Sequence, residues 1–408
     1  MLVHWIWLAT RPNVSDRIKQ ELIMRMHDPE DIFYAEAEDY RIMPELTDAV
    51  CQSLMDKKLD KAWDIIEKCK QKAIHILTYR DAAYPSRLKN IFDPPMVLYY
   101  KGRLPDFDAQ PFIGVVGTRS ATAYGLTAAK KLGYQIACCG GAVVSGAAEG
   151  IDAAAMSGAL TGNGTVVGIL GCGVDKVYPA CNRALFADLG RYGCLISEFV
   201  PGTPPYGWNF PKRNRIISGL SNGVLVVEAP KKSGSLITAE LALEQGRDVF
   251  VIPGNIDSPN SIGSNALLRE GAISVSSGWD MVGEYEALFP GKLCPSDQPG
   301  LAVMTENLEP IVAETVEKPT VKKEKTVRPD KKTIDKDKKP PYSDVEKALP
   351  ALNEQEQRIV NELKQGERLT DDVIAATGIA AGQMLGVLTV LEIKGVISRL
   401  PGNRIALK

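Results

Sequence analysis

The segment Phe112-Ile-Gly-Val-Val-Gly-Thr-Arg-Ser120 carries the clearest structural signal in the sequence. Its apolar run, Phe112 to Val116, is typical of a buried strand, and a helical pattern begins after Ser120. A strand that ends at Gly117 and leads into a helix leaves free backbone N–H groups at the helix start, where the helix dipole also favours an anion. Arg119 adds a positive charge whose planar donors suit phosphate. The stretch therefore predicts an α/β sheet with an anion-binding turn.

The alternation of strand and helix continues to about residue 290. Apolar, valine-rich strand candidates occur at 112–116, 142–145, 165–170, 194–197, 223–228 and 248–252. Helical patterns lie between them, at 123–139, 151–161, 182–191, 210–219 and 235–246. Continuous apolar runs are typical of parallel strands that are covered on both faces. We therefore predict an extended Rossmann-like, doubly wound parallel sheet, whose ligand-binding loops lie beyond the carboxyl ends of the strands.

The length of 408 residues exceeds one typical core, and composition divides the chain further. Short amphipathic helices predict a small helical domain at 1–80, resembling a sterile alpha motif or a helix-hairpin-helix. It would serve as a packing or dimerisation module, or as an accessory DNA contact. The Rossmann-like domain is expected at 81–293. A segment at 294–349, rich in Pro, Lys, Glu, Asp and Thr, predicts a disordered linker. Three helical patterns and a hairpin at 350–408 predict a winged helix.

The supposed recognition helix of this winged helix is nearly uncharged. It reads AAGQMLGVLTVLEIKG, from Ala380 to Gly395. Base or phosphate recognition by such a helix is poor without arginine or lysine on it. The pattern therefore favours a contact with protein over a contact with DNA.

Four loops at the expected carboxyl edge of the sheet carry candidate binding residues. They are Gly117 to Ser120, Ser145 to Asp152, Asn209 to Arg215, and Lys231 to Ser235 followed by Thr238. Cations in these loops would line one basic groove: Arg119, Lys212, Arg213, Arg215, Lys231 and Lys232. Aromatic rings beside cations are typical of single-stranded nucleic-acid sites. Phe210 could equally stack on a base or pack against protein, whereas Tyr206 and Trp208 are expected to pack under the sheet edge.

Composition excludes several classes of protein. The net charge is −2, so a nucleic-acid surface must be local. Eight scattered cysteines without a CxxC pair argue against a zinc cluster and a disulfide framework, and favour a cytoplasmic location. The apolar opening MLVHWIWLAT is too short to span a membrane and predicts a buried first element.

The main domain also lacks the usual residues of catalysis. The chain contains no GxxxxGK[ST] motif, and its three histidines, His4, His27 and His75, all lie in the first 80 residues. A Ser–His triad and a histidine-ligated metal are therefore excluded from residues 81–293. The carboxylates there are expected to cap turns or form ion pairs. We predict a binding protein with no catalytic residue, no metal and no cofactor.

The motifs of this domain closely resemble those of the DNA-processing protein A family (DprA, also called Smf). The resemblance covers about residues 80–290. It rests on GVVGTRSATAYG, VVSGAAEGIDAAA, GILGCGVDKVYPACNRAL, ISEFVPGTPP, NFPKRNRIISGLSNGVLVVEA, KSGSLITAELALEQGRDVFVIPG and GSNALLREGA, in this order. It implies an extended Rossmann-like fold and a homodimer that binds single-stranded DNA without sequence preference. It further implies that RecA is loaded onto incoming DNA while single-strand-binding protein is displaced, in natural transformation.

The resemblance also implies which residues contact DNA or shape the pocket. They are Gly117, Thr118, Arg119, Ser145, Gly146, Gly150, Asp152, Phe210, Lys212, Arg213, Asn214, Arg215, Ser233, Gly234, Ser235 and Thr238. The chain departs from the family at Glu149 and Met156, where members often carry a basic residue and a histidine.

Two alternatives stay open at this point. The fold is also similar to that of phosphoribohydrolase-like, nucleotide-binding enzymes, which use a PGGxGTxxE stretch with a catalytic glutamate. The corresponding turn here reads KSGSLITAE, so Glu240 would be that glutamate, although the glycine pair is lost. The second alternative is a scaffold whose groove is occupied by its own linker.

Overall fold

The structure is a computed structural model. It describes residues 1–41, 43, 45–295, 354–364, 366–379, 384, 387, 388, 391, 396–400 and 404–407. The described residues belong to two compact units, one within Met1–Glu314 and one within Thr315–Lys408. The predicted linker at 294–349 lies outside the described residues, apart from its first two positions.

The first unit begins with short helices. They are α1 (Leu2–Ala9), α2 (Asp16–Met26), α3 (Pro29–Tyr34), α4 (Ala37–Arg41), α5 (Asp48–Met55) and α6 (Asp60–Gln71). Side-chain caps fix several of their starts: the Ser15 hydroxyl accepts a hydrogen bond from the Ile18 N–H, and Asp28 accepts one from the Glu30 N–H. The apolar opening of the chain is the buried helix α1, as predicted.

A nine-stranded sheet forms the centre of this unit. Its strands are β1 (His75–Thr78), β2 (Val97–Gly102), β3 (Phe112–Val116), β4 (Ala142–Ser145), β5 (Val166–Ile169), β6 (Cys194–Ser197), β7 (Gly223–Val226), β8 (Asp248–Val251) and β9 (Ile273–Ser274). Their spatial order is β1-β2-β6-β5-β4-β3-β7-β8-β9. All pairs from β6 to β9 in this order are parallel, whereas β2 pairs antiparallel with both β1 and β6. The predicted doubly wound α/β fold is confirmed.

The helices of the α/β region cover both faces of the sheet. They are α7 (Ser86–Lys89), α8 (Ala123–Cys138), α9 (Ile151–Thr161), α10 (Arg183–Tyr192), α11 (Asn209–Leu220), α12 (Gly234–Glu244), α13 (Ile262–Arg269) and α14 (Trp279–Val282). The N-terminal helices share one apolar cluster with α8, α9, α10 and α14. A second cluster joins the other face of the sheet to α7, α11, α12 and α13. Because residues of α1 and β3 belong to one core, no gap in packing marks residue 80, and the boundary there stays a prediction.

One stretch of the chain differs from the sequence-based interpretation. The segment from Tyr84 to Tyr100 is predicted from the sequence to be an extended connection into the main domain. The structure places α7 and the start of β2 within it, and β2 pairs with β6 through Tyr99 opposite Ser197 and Tyr100 opposite Ile196. Two prolines precede the strand, so its apolar run is short and gives little local indication of a strand. The sheet is therefore mixed at this edge rather than parallel throughout.

The second unit contains α15 (Glu354–Leu363), β10 (Arg368–Leu369), α16 (Thr370–Thr377), β11 (Ile397–Leu400) and β12 (Arg404–Leu407). The strands form an antiparallel sheet in the order β10-β12-β11, which includes the predicted hairpin. Helix α16 ends at Gly378 in the left-handed conformation, with φ of 69°. Most of the predicted recognition helix lies outside the described residues, although Met384, Leu388 and Leu391 are buried in this unit's core.

Candidate nucleic-acid interface

The sheet reverses direction of winding at β3. From β3 the chain proceeds through β4 and β5 to β6, and it then returns to β7 on the other side of β3. In such sheets a crevice opens beyond the carboxyl ends of the strands at this switch point. A cleft of about 680 Å³ lies there. It is lined by many of the predicted site residues: Gly117, Thr118, Arg119, Asp152, Phe210, Arg213, Asn214, Ser233, Gly234, Ser235 and Thr238.

The first wall of the cleft is the turn after β3. The Thr118 N–H donates to the Glu228 carbonyl at 2.8 Å, and the Thr118 hydroxyl accepts from the Ser120 N–H at 3.2 Å. At Gly117 a Cβ atom would lie 2.6 Å from Ile151, so glycine is required where the turn meets α9. The backbone of the turn is thus fixed, while the Arg119 side chain is exposed.

The helix that follows this turn, α8, has a carboxylate of the protein itself at its N-terminus. The buried Glu228 carboxylate accepts a hydrogen bond from the Thr122 N–H at 2.9 Å and one from the Thr122 hydroxyl at 2.5 Å. A Cβ atom at Gly125 would lie 2.4 Å from the same carboxylate. The expected anion at the start of α8 is therefore supplied by the chain itself, as the Glu228 carboxylate.

The floor of the cleft is a buried pair of opposite charges. Arg213 donates to the carbonyls of Gly146, at 2.8 Å, and of Ile169. The Asp152 carboxylate accepts from the Gly146 N–H at 3.0 Å. Burial lowers the pKa of Arg213 to about 10, against the opposing effect of Asp152, so the guanidinium remains protonated at neutral pH. Burial likewise raises the pKa of Asp152, which Arg213 partly offsets. This pair fixes the loop after β4.

Three predicted residues of that loop lie beneath the cleft surface rather than on it. The Ser145 hydroxyl donates to the Val115 carbonyl at 2.6 Å and is fully buried. Gly146 touches both Arg213 and Asp152. Gly150 has φ of 84° and packs against the backbone of Thr118. These residues shape the cleft without presenting a side chain to it.

Lys212 and Arg215 are not brought to this cleft. The buried Arg215 guanidinium pairs with Glu198 at 2.8 Å, Asp93 at 2.9 Å and Asp16 at 3.2 Å. Lys212 is half exposed and lies 3.1 Å from Asp16 and 3.5 Å from Glu198. Burial would lower the pKa of Arg215, but the surrounding carboxylates, Glu198 first, raise it above its ordinary value. A contact of these two cations with a ligand in the cleft stays a prediction.

The start of α12 forms another part of the cleft wall. Ser233 caps this helix, and its hydroxyl accepts from the Ser235 N–H at 3.3 Å. Lys231 and Lys232 precede the cap, are exposed, and form no ion pair with a residue in the described part of the chain. The helix dipole and the lysines both favour a negative ligand at this wall. Lys232 lines the cleft, whereas Lys231 is not among its lining residues.

The Phe210 ring contacts several other residues that line the cleft. Its ring lies 5.2 Å from the Arg119 guanidinium carbon, 5.9 Å from that of Arg213, and 5.6 Å from the ring of Tyr178. The Gly171 backbone packs on the same ring, since a Cβ atom there would lie 2.8 Å from it. Phe210 is therefore a half-buried residue of the cleft lining that contacts the Arg119 guanidinium through a cation–π interaction.

Tyr206 and Trp208 differ from the expectation that they pack under the sheet edge. Trp208 is 72% exposed and Tyr206 is 44% exposed. Their rings stack on each other, 4.7 Å apart and 10° from parallel. The expectation of packing under the sheet edge was wrong, because both rings are exposed and stack on each other.

Sequence reasoning missed Tyr178 and Ile237, which also line the cleft. Tyr178 follows β5 in the loop Val177-Tyr178-Pro179, at the same carboxyl edge as the motif-bearing loops, so its position after a strand could have identified it. Within the described part of the chain, no cluster of three or more His, Cys, Asp or Glu could hold a metal ion. None of the described helices has the length and apolar character needed to cross a membrane.

A doubly wound α/β sheet with a cleft at its switch point, followed by a winged-helix unit, defines the class of this protein. The chain belongs to the DNA recombination-mediator protein A family, whose sequence pattern it matches over residues 75–286. Residues 343–403 match the DprA winged helix domain.

Known relatives agree with this assignment. The chain is 35% identical to Protein Smf of Synechocystis sp., over 84% of this chain and 82% of that protein. It is 40% identical to DNA processing protein DprA of Bacillus subtilis, over 54% of this chain and 74% of that protein. The X-ray structure of DNA processing protein A from Streptococcus pneumoniae superposes with a TM-score of 0.61 at 32% identity, covering 70% of this chain and 98% of that one.

Proposed function

We propose that this chain binds single-stranded DNA in the cleft at the switch point and acts as a recombination mediator. The observation that carries the proposal is the position of Arg119, exposed at one wall of the cleft and supported by Phe210. Lys232 and the start of α12 form another part of the wall. A strand lying between them would exchange condensed counterions for these cations, independently of its sequence.

Not all predicted site residues have the same role in this proposal. Arg119, Lys232 and the backbone of Ser233 to Ser235 contact phosphates. Arg213 and Asp152 act as positioning residues, because both are buried and already paired with protein groups. The carboxylates around Lys212 and Arg215 balance their charge, so these cations add little to the net potential of the cleft.

The further steps of the proposal follow from family membership. We propose that the protein loads RecA onto the bound strand, that it displaces single-strand-binding protein, and that it works as a homodimer during natural transformation. The winged-helix unit is proposed to contact protein. Each of these steps is separable from DNA binding and is tested with the respective partner.

The proposal includes no bond-breaking step. The three histidines of the chain are at positions 4, 27 and 75, so none belongs to the loops that form the cleft. Glu240, the candidate of the phosphoribohydrolase-like alternative, is exposed on α12 and is not among the lining residues. These positions favour a binding cleft over a nucleotide-cleaving site. Incubation of the purified protein with AMP is expected to release no ribose phosphate.

The decisive experiment is titration of a fluorescent oligo-dT strand, followed by anisotropy. Arg119→Ala combined with Lys232→Ala is expected to weaken binding about tenfold or more, which corresponds to at least about 1.4 kcal/mol. Lys131→Ala, which removes an exposed lysine of α8, is the matched control and is expected to bind as the unchanged protein does. Equal affinity of the double variant and the control would refute the proposal.

A further inference from the structure

We infer that Asn182, at the end of the loop after β5 (residues 170–182), is a positioning residue of the proposed DNA-binding cleft. Its side-chain amide ties that loop to the loop after β4 (residues 146–150), which packs against the turn that carries Arg119. The inference rests on the proposed function and deepens it, because it names a side chain that arranges the cleft without contacting DNA.

The first step concerns the contact between the two loops. The Asn182 side-chain N–H groups donate to the Ala147 carbonyl at 3.0 Å and to the Ala148 carbonyl at 3.1 Å. Both partners are acceptors, so only the amide nitrogen, and not the amide oxygen, can face them. The backbone of Asn182 is itself held, since its N–H donates to the Pro179 carbonyl at 3.2 Å. One half-buried side chain therefore joins loops that follow two neighbouring strands.

The second step concerns why the loop after β4 needs this tie. Ala147 has φ of 52°, a left-handed conformation that alanine rarely adopts and that persists only where the surroundings fix it. The N–H groups of Gly146 and Ala148 donate to the Asp152 carboxylate at 3.0 and 3.4 Å. Asp152 thus holds donors of the loop, whereas Asn182 holds two of its carbonyls. Without the amide these carbonyls lose their donor, and the loop becomes free to sample other conformations.

The third step concerns the path from this loop to Arg119. Gly150 packs against the turn after β3, because a Cβ atom there would lie 2.5 Å from the Thr118 carbonyl oxygen and 2.6 Å from that of Arg119. The Ile151 N–H donates to the same Thr118 carbonyl at 3.4 Å. A shift of the loop after β4 would therefore move the backbone that carries Arg119.

The loop after β5 also belongs to the cleft. Its Tyr178 lines the cleft, and the Tyr178 ring lies 5.6 Å from the Phe210 ring. Asn182 therefore fixes two cleft-forming loops relative to each other before any strand binds. A preorganised cleft loses less conformational entropy on binding than a mobile one. Loss of the amide is thus expected to weaken binding while every cation of the cleft remains in the chain.

The experiment combines oligo-dT anisotropy with amide hydrogen exchange on the full-length protein. Asn182→Ala is expected to weaken binding about tenfold, the factor that corresponds to one or two hydrogen bonds of ordinary strength. Exchange in the DNA-free variant is expected to rise in residues 117–120, 145–152 and 176–182, and not in the rest of the sheet. Asn182→Gln keeps the amide donors and is expected to restore part of the affinity. Gln52→Ala, which removes an exposed amide of α5, is the matched control and should behave as the unchanged protein does.

The outcomes distinguish this inference from the proposed function. Unchanged oligo-dT affinity of Asn182→Ala refutes the positioning role and leaves the cleft proposal standing. Weaker binding without faster exchange in the three loops would mean that the amide contacts DNA itself, which also refutes the inference. Faster exchange throughout the sheet would mean that Asn182 supports the fold in general, with the same consequence. If the unchanged protein does not bind oligo-dT, the proposed function and the positioning role fail together.

Discussion

Arg215 donates hydrogen bonds to both carboxylate oxygens of Glu198, at 2.9 Å to Oε1 and 2.8 Å to Oε2. Glu198 directly follows β6, and the guanidinium also reaches Asp16 of α2. Helix α11 therefore lines the cleft with one face and is anchored on another face by the buried ionic cluster of Arg215, Glu198 and Asp16. The Arg215 side chain thus connects α11, α2 and the end of β6, which are distant in sequence.

Arg215→Ala is expected to lower the free energy of unfolding by about 3–5 kcal/mol, because it leaves buried carboxylates without their partner. Glu198 and Asp16 would then face each other with only Lys212 between them. Urea unfolding followed by circular dichroism measures the change.

The matched control is Arg191→Ala, which removes an exposed arginine of α10. It is expected to change the free energy of unfolding by no more than about 0.5 kcal/mol. Arg215→Lys keeps the charge but not the paired hydrogen bonds and should fall between the two. Similar unfolding curves for Arg215→Ala and Arg191→Ala would show that the cluster contributes nothing to stability.

The same cluster predicts a dependence of stability on pH. Burial alone would raise the pKa of Asp16, but Lys19, Lys212 and Arg215 together lower it below its ordinary value of 3.8. A carboxyl whose pKa is lower in the folded state stabilises the fold above its unfolded pKa. That contribution disappears as the pH falls through the lower, folded value.

Asp16→Asn should therefore be less stable than the unchanged protein at pH 6 by about 1–3 kcal/mol, since Arg215 retains Glu198 and Asp93. The difference should shrink as the pH falls below 3.8. Asp64→Asn, on the exposed side of α6, is the control and should differ by less than about 0.5 kcal/mol throughout. A difference for Asp16→Asn that is constant from pH 6 to pH 2.5 contradicts the assignment.

Much of the sheet was predictable because its strands are short, apolar and separated by helical patterns. The six predicted strands are all present, with ends that differ by at most two residues. Strands β1, β2 and β9, at the two ends of the sheet, were missed because their pairing depends on which segments the fold brings beside β6 and β8. That information is tertiary and is not contained in a local pattern.

The separate positions of the cations in α11 could have been predicted but were not. Residues 210, 213, 214 and 217 share one face of a helix, and all four line the cleft. Lys212 and Arg215 lie on another face, towards Asp16. The sequence-based interpretation placed all of FPKRNR in one basic loop. It therefore overlooked the helical periodicity that puts these residues on different faces of α11. The burial of Arg213 against Asp152 could not have been predicted, because it depends on the packing of α11 against the loop after β4.

The packing of Gly150, in the loop after β4, predicts that a larger side chain at this position destabilises the protein. Gly150 has φ of 84°, and a Cβ atom there would lie 2.5 Å from the Thr118 carbonyl oxygen. Gly150→Ala is therefore expected to lower the free energy of unfolding by about 1–3 kcal/mol or to displace the Arg119 turn. Thermal unfolding and oligo-dT affinity report these two effects separately.

Gly190→Ala provides the contrast. Gly190 lies in α10 and is exposed, and a Cβ atom there would meet nothing within 4 Å. The free energy of unfolding of this variant is expected to rise by about 0.5–1 kcal/mol, because alanine loses less conformational entropy than glycine when a helix forms. An unfolding temperature that rises in both variants would contradict the strain assigned to Gly150.

The salt dependence of DNA binding reports the phosphate contacts that the cleft residues make. For a single strand, the slope of log affinity against log salt is about −0.7 per phosphate neutralised. Lys232→Ala removes one cation of the cleft wall, so its slope should be smaller in magnitude by about 0.7. Lys131→Ala, which removes an exposed lysine of α8 that does not line the cleft, should keep the original slope. Anisotropy titrations from 50 to about 300 mM salt, a range over which such slopes are evident, measure both variants. A slope that changes equally with Lys131→Ala and Lys232→Ala, or that does not change with Lys232→Ala, would contradict the phosphate contact assigned to Lys232.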